Sequence, residues 1–161
     1  MSIYVFGYGS LINMKENKEL IFKKGRIICP VMVNGLNRAF NVSSSKYKVL
    51  GVKDTKNANK QCNGILIKID YAEELAKLLH REANYTSKEL NLARISFPYK
   101  KKLILQPGDK VLCFYPKTKF TLTQKASKQL NIRPNYLNIC LDGSANFGKD
   151  FLQDFLHTTV E

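Results

Sequence analysis

Glu82 is the residue in this sequence best placed to move a proton. It follows Leu75, Leu78 and Leu79 by seven, four and three positions, so on a helix it continues their apolar face. Glu73, Glu74, Lys77 and Arg81 are spaced to take the opposite, solvated side. A carboxylate on a buried stripe is costly unless it is paired, and loss of water raises its pKa toward the range where it can accept and return a proton near neutrality. The same position also suits an acid that pairs with a nearby Arg or caps free backbone donors at a helix end. Pattern alone leaves both readings open.

A second candidate is Gly7-Tyr8-Gly9-Ser10-Leu11. Two glycines let the backbone come close to a ligand, and N–H groups just before a helix can hold a carboxylate or phosphate. Position 12 is Ile, so the dinucleotide-binding pattern fails, and a plain strand-to-helix turn would carry the same residues. His80 and His157 are not spaced as ligands, which leaves little material for a His-dependent triad or a zinc hydrolase motif. Cys29, Cys62, Cys113 and Cys140 lie far apart with no C-x-x-C pair, so neither a zinc cluster nor a disulfide ladder is signalled, and buried reduced thiols are expected. The chemistry left is metal-free acid/base catalysis.

These residues need elements to position them. Residues 3–6 are an apolar run that predicts a buried strand ending in the Gly7-Tyr8-Gly9-Ser10 turn. A helix is expected next, capped by Asn13 with Glu16 three residues on and with Leu20, Ile21 and Phe22 as apolar contacts. Segments 26–33 and 39–42 predict a hairpin around Asn34-Gly35. Residues 53–63 are polar and predict a long exposed loop, and 64–69 are β-branched and predict a strand. A helix over 71–82 is expected, with Asp70 as its cap and Glu73 and Glu74 opposing the dipole in the first turn.

Strands over 92–97 and 101–105 come next, then a turn at Gln106-Pro107-Gly108-Asp109 into a strand over 110–115. Thr123 can cap a short helix to Leu130, and a last helix from Gly143 or Ser144 sets Phe147, Phe151 and Phe155 on one face. This order predicts one α+β domain over 1–161, whose sheet can curl into a small mixed β-barrel with surrounding helices.

The chain's 161 residues suffice for a single core, burying about two-thirds of the surface of the unfolded form. The net charge of +13 is uneven: between Tyr99 and Arg133 eight Lys and one Arg face only Asp109, while 140–161 is acidic. Such a tract could hold nucleic acid, an anionic membrane surface or an acidic substrate. It contains no nucleic-acid motif, so it reads as a solvated Lys-rich surface, with no specific nucleic-acid partner expected. No run approaches the ~20 apolar residues of a membrane span, and the N-terminus lacks the pattern of a secretory signal. A cytoplasmic protein without a membrane partner is expected.

Val5-Phe6-Gly7-Tyr8-Gly9-Ser10-Leu11 resembles the opening motif of the γ-glutamylcyclotransferase family, particularly its ChaC-type branch, where a strand ends in a substrate-gripping turn. Asn63-Gly64-Ile65-Leu66, followed by a helix ending in Arg81-Glu82, resembles the family's strand and catalytic-glutamate helix. Tyr136-Leu137-Asn138-Ile139-Cys140, leading to Gly143 and a Phe-rich helix, is similar to its C-terminal section, including the tyrosine near substrate. The resemblance implies a small β-barrel with helices and a cofactor-free release of 5-oxoproline from a small γ-glutamyl substrate. It implies Glu82 as catalytic acid and base, with Tyr8, Gly9, Ser10, Leu11 and Tyr136 binding substrate. Ala83 departs from the pattern, and the donor it implies is glutathione, a γ-glutamyl amino acid or a γ-glutamyl amine. A non-catalytic module binding a small carboxylate or an acidic macromolecule on the same fold is the rival reading.

Overall fold

The computed structural model describes residues 1–19, 25–57 and 59–160. Among them the strands are β1 (Ile3–Gly7), β2 (Ile28–Asn34), β3 (Leu36–Ser44), β4 (Tyr47–Asp54), β5 (Gln61–Ile69), β6 (Tyr85–Glu89), β7 (Ile95–Ser96), β8 (Lys110–Pro116) and β9 (Thr159–Val160). The α-helices are α1 (Ala72–Arg81), α2 (Gln124–Lys128), α3 (Tyr136–Ala145) and α4 (Lys149–His157). The strands form a six-stranded sheet, β6-β8-β1-β5-β2-β7, and a three-stranded sheet, β4-β3-β9. The chain is therefore α+β as expected, and the curl expected of its sheet takes the form of two sheets sharing a core.

Strand β1 is apolar on both sides because both of its faces are covered. Tyr4 and Phe6 enter one core with Val31, Leu66 and Cys113, joined by Leu36 and Val52 from the smaller sheet. Val5 enters a second core with Ile65, Ile67, Leu78, Phe114, Phe151 and Phe155, which lies under the helices. Within the large sheet β1 runs antiparallel to β5 and parallel to β8. Gly7 is thus the last residue of a fully flanked strand, and the turn after it starts from a fixed point.

Several expectations are corrected. The Asn34-Gly35 pair does not make a hairpin: β2 pairs with β5 and β7, whereas β3 pairs with β4 and β9. Gly35 instead turns the chain from one sheet to the other, where its N–H donates to Lys60 O and its carbonyl accepts from Thr55 N–H. Asn13 does accept from Glu16 N–H at 3.0 Å, but residues 14–19 form turns and not a helix, and Leu20, Ile21 and Phe22 lie outside the described residues. Strands β4 and β5 extend into the expected loop, shortening it, and 101–105 is not a strand. Strand β6 pairs with β8 although its Thr-Ser-Lys-Glu sequence gave no apolar run to announce it.

The final helix is two. Gly143 and Ser144 are buried inside α3, and Gly148 at φ 101° breaks the path before α4. Only a residue without Cβ takes that conformation cheaply. Phe151 and Phe155 are buried from α4 as the spacing suggested. No helix among the described residues is long and apolar enough to cross a membrane.

Candidate active site

Helix α1 is fixed at its start by charge and ends in Glu82. Glu74, expected on the solvated side, is buried: its side chain is 4% exposed and pairs with Arg26, whose side chain is fully buried. Glu74 Oε1 also accepts from the N–H groups of Asp70 and Tyr71 at 3.2 Å each, so Glu74 caps the helix and not Asp70. Asp70 lies 3.4 Å from Arg26 Nη1. Leu78 is fully buried while Leu79 is 41% exposed, so the buried stripe runs Glu74, Leu78, Glu82 and excludes Leu79.

Glu82 is the C-cap, with φ −90° and ψ 43°, and its N–H donates to Leu78 O at 2.9 Å. Its side chain is 16% exposed, and among the described residues its ion pair is a long one, 3.9 Å to Arg81 Nε. Burial raises its pKa above the usual carboxylate value, and Arg81 opposes this only in part.

The glycine turn faces it. The Tyr8 hydroxyl donates to Phe114 O at 2.6 Å, which directs that phenol into the core. The Tyr8 carbonyl accepts from Arg38 Nη1 at 3.0 Å. Arg38 is fully buried, donates also to Asn63 O, Asn63 Oδ1 and Phe155 O, and stacks 4.0 Å above the Phe155 ring. A buried guanidinium thus ties the turn to β5 and to the end of α4. Ser10–Ile12 then makes one 3-10 turn, and among the described residues no backbone carbonyl outside regular strands accepts from the N–H groups of Gly9, Ser10 and Leu11. Asn17 Nδ2 holds the Ser10 carbonyl at 2.8 Å, and Asn17 Oδ1 accepts from Arg81 Nη1.

Gly9 has φ −127°, so it does not need glycine for a left-handed backbone. Glycine is needed because a Cβ there would stand 2.7 Å from Tyr136 Oη. Tyr136 begins α3, and its hydroxyl oxygen accepts from Leu50 N–H at 3.3 Å.

All six expected site residues, Tyr8, Gly9, Ser10, Leu11, Glu82 and Tyr136, line one cavity of about 30 Å³, together with Leu50, Tyr85 and Phe114. Ser10, Glu82, Tyr85 and Tyr136 also line an outer cleft of about 440 Å³ with Ser44, Val49, Arg81, Asn84 and Arg133. Tyr85 was not expected here: its hydroxyl donates to Leu50 O at 2.8 Å. Its place three residues after Glu82 was the available signal. Burial, and then the charge of Glu82, raises the Tyr85 pKa; Tyr8 and Tyr136 are raised chiefly by burial, with Glu82 adding to it. All three phenols stay protonated around a carboxylate of raised pKa, an arrangement that can bind an anion or carbonyl and exchange one proton with it.

No protein-family model matches the chain, and no curated protein sequence does. Solved structures do match. One titled "Gamma-glutamyl cyclotransferase" covers 98% of this chain and 88% of its own, with a TM-score of 0.64 at 13% identity. A γ-glutamyl cyclotransferase specific to glutathione from yeast covers 98% and 97%, with a TM-score of 0.68 at 14% identity. YkqA from Bacillus subtilis covers 97% of this chain and 53% of its own, with a TM-score of 0.67 at 15% identity. The fold is that of the γ-glutamyl cyclotransferases. On this γ-glutamyl cyclotransferase fold, the cavity between the end of β1, the end of α1 and the start of α3 gathers the polar groups described above.

Proposed function

We propose that this chain is a γ-glutamyl cyclotransferase that releases 5-oxoproline from a γ-glutamyl donor, with Glu82 as general acid and base and no cofactor. The observation that carries this reading is a largely buried carboxylate of raised pKa in one cavity with the glycine turn, whose Gly9, Ser10 and Leu11 N–H groups bond to no backbone carbonyl outside regular strands among the described residues. The donor's neutral α-amine attacks its own γ-carbonyl carbon. Glu82 takes the proton that this nitrogen loses on becoming the ring amide, and returns it to the leaving nitrogen as the old γ-amide C–N bond breaks. Ring closure is intramolecular, so holding the donor folded supplies much of the acceleration.

The N–H groups of Gly9, Ser10 and Leu11 bind the α-carboxylate or the oxyanion on the γ-carbon. Tyr136, held protonated, offers a further donor at the same wall. Tyr8 acts through its backbone, since its hydroxyl is spent on Phe114 O, and Leu11 packs beneath the turn.

Purified protein incubated with glutathione, a γ-glutamyl amino acid and a γ-glutamyl amine should release 5-oxoproline from at least one. Binding of these donors without release from any would overturn the enzyme reading in favour of a binding module.

A further inference from the structure

The basic tract that opens at Tyr99 begins beside a cleft that the proposed reaction does not use. The cleft measures about 730 Å³ and lies between β2, the loop after β7 and the start of α4. It shares no lining residue with the active-site cavity or with the outer cleft. A hollow of that size suits a small organic molecule.

Its floor is apolar and fixed. Ile28 and Pro30 come from β2, and the rings of Tyr99 and Phe147 both pack on Phe151, with centroids 5.2 and 5.4 Å away. The Tyr99 hydroxyl donates to Asp154 Oδ2 at 2.7 Å and accepts from Asn63 Nδ2 at 3.3 Å, so that ring is anchored at its polar end.

The rim is cationic. Lys100, Lys101 and Lys149 line it, all exposed, and none forms an ion pair among the described residues; Asp150 is the acidic lining residue. Helix α4 starts at the same rim. Gly148 offers no side chain to cap it, and the N–H groups of Lys149, Asp150 and Phe151 precede the first intrahelical bond, Leu152 N–H to Gly148 O at 3.1 Å. Such a helix start favours an anion.

Arg26 gives an independent sign of the same preference. Its side chain is fully buried in the cleft wall, and its Nη atoms are spent on Lys68 O, Glu74 and Asp70. Its Nε has no hydrogen-bond partner among the described residues. A buried donor without an acceptor is costly, and a ligand oxygen at that wall would satisfy it.

We propose that this cleft binds a small organic phosphate whose body is an aromatic ring system. Lys100, Lys101, Lys149 and the N-terminus of α4 take the phosphate, for which the compact charge of lysine is suited. Tyr99, Phe147 and the aliphatic floor take the body, because a flat ring buries its faces well against aromatic neighbours. The apolar groups line a hollow and do not project from it, which favours a small molecule over a membrane surface.

The probe is 1-naphthyl phosphate, titrated by its own fluorescence and by calorimetry, with 1-naphthol and inorganic phosphate as its two halves. The whole probe should bind one site at least about tenfold more tightly than either half, because both contacts contribute. Lys101→Gln with Lys149→Gln should weaken binding about tenfold, the scale of lost charge-assisted bonds. Lys117→Gln with Lys125→Gln, in the same basic tract but outside the cleft lining, should leave it unchanged. All four lysines are exposed, so melting temperatures should stay level and a loss is one of binding. Equal affinity for the probe and either half, or equal weakening by the two pairs of substitutions, would overturn the site. So would attachment to phosphatidylserine vesicles without saturable binding of the probe, which would assign the lysines to a membrane surface. None of these outcomes bears on the cyclotransferase reading.

Discussion

Tyr136 Oη stands where a Cβ on Gly9 would come within 2.7 Å, so the first turn of α3 and the loop after β1 meet at the contact limit. Gly9→Val should therefore push Tyr136 away from the turn and block the approach of a ligand to its N–H groups. The expected outcome is a rise in KM of about tenfold or more, as for a misplaced binding group, with thermal unfolding changed little because the pocket wall and not the core is disturbed. Kinetics and melting on the same preparation check this. A large fall in melting temperature with normal KM in the folded fraction would show Gly9 to be a packing residue only.

The buried pair Arg26–Glu74 is expected to carry stability and not catalysis. The Arg26 hydrogen bond holds Glu74 well below its ordinary value of 4.5, at about 2. A lowered folded-state pKa contributes stability that is complete above the ordinary value and is lost as pH falls from there toward 2. Glu74→Gln removes the buried carboxylate that pairs with Arg26 and leaves only the partly exposed Asp70, 3.4 Å away, a change that costs up to about 3–5 kcal/mol where such pairs are broken. Denaturant unfolding at pH 7 and pH 3 should show a large loss at pH 7 and a much smaller one at pH 3. Equal losses at both would contradict the assignment.

The four thiols are free and buried. Burial raises Cys62 and Cys113 and pushes Cys140 up to about 12. Since the thiolate is the reactive form, a thiol reagent at pH 8 should label Cys62, Cys113 and Cys140 slowly in the native state and fully in denaturant. Rapid native labelling of those three would contradict their burial.

The sequence made the site more legible than its supports. Gly9, Ser10 and Glu82 stood out by residue type and local pattern, and Tyr136 only by the resemblance of its segment to a family section; all four line one cavity. Arg38 and Glu74 did not announce their roles, because a buried charge looks like a surface charge until its partners arrive from other elements: Asn63 from β5 for Arg38, Arg26 for Glu74. Asn34-Gly35 misled for the same reason. A tight turn is a local property, but whether the strands on either side pair with each other depends on β5 and β4, which compete for them and come later in the chain. Strand β6 was hidden because its residues are half-exposed and its order comes from the β8 ladder.

Glu82→Gln measured for rate and stability together tests the central claim most directly. Burial raises the Glu82 pKa above 4.5, so the ionised carboxylate is less favourable in the folded state than in the unfolded one. That penalty is absent below the ordinary value and grows as pH rises through the folded-state pKa. At pH 7 the amide should leave the melting temperature unchanged or raise it, while 5-oxoproline release falls roughly 10²-fold or more because no group takes and returns the proton. Near-normal turnover, or a loss of rate that only tracks a lowered melting temperature, would contradict the account.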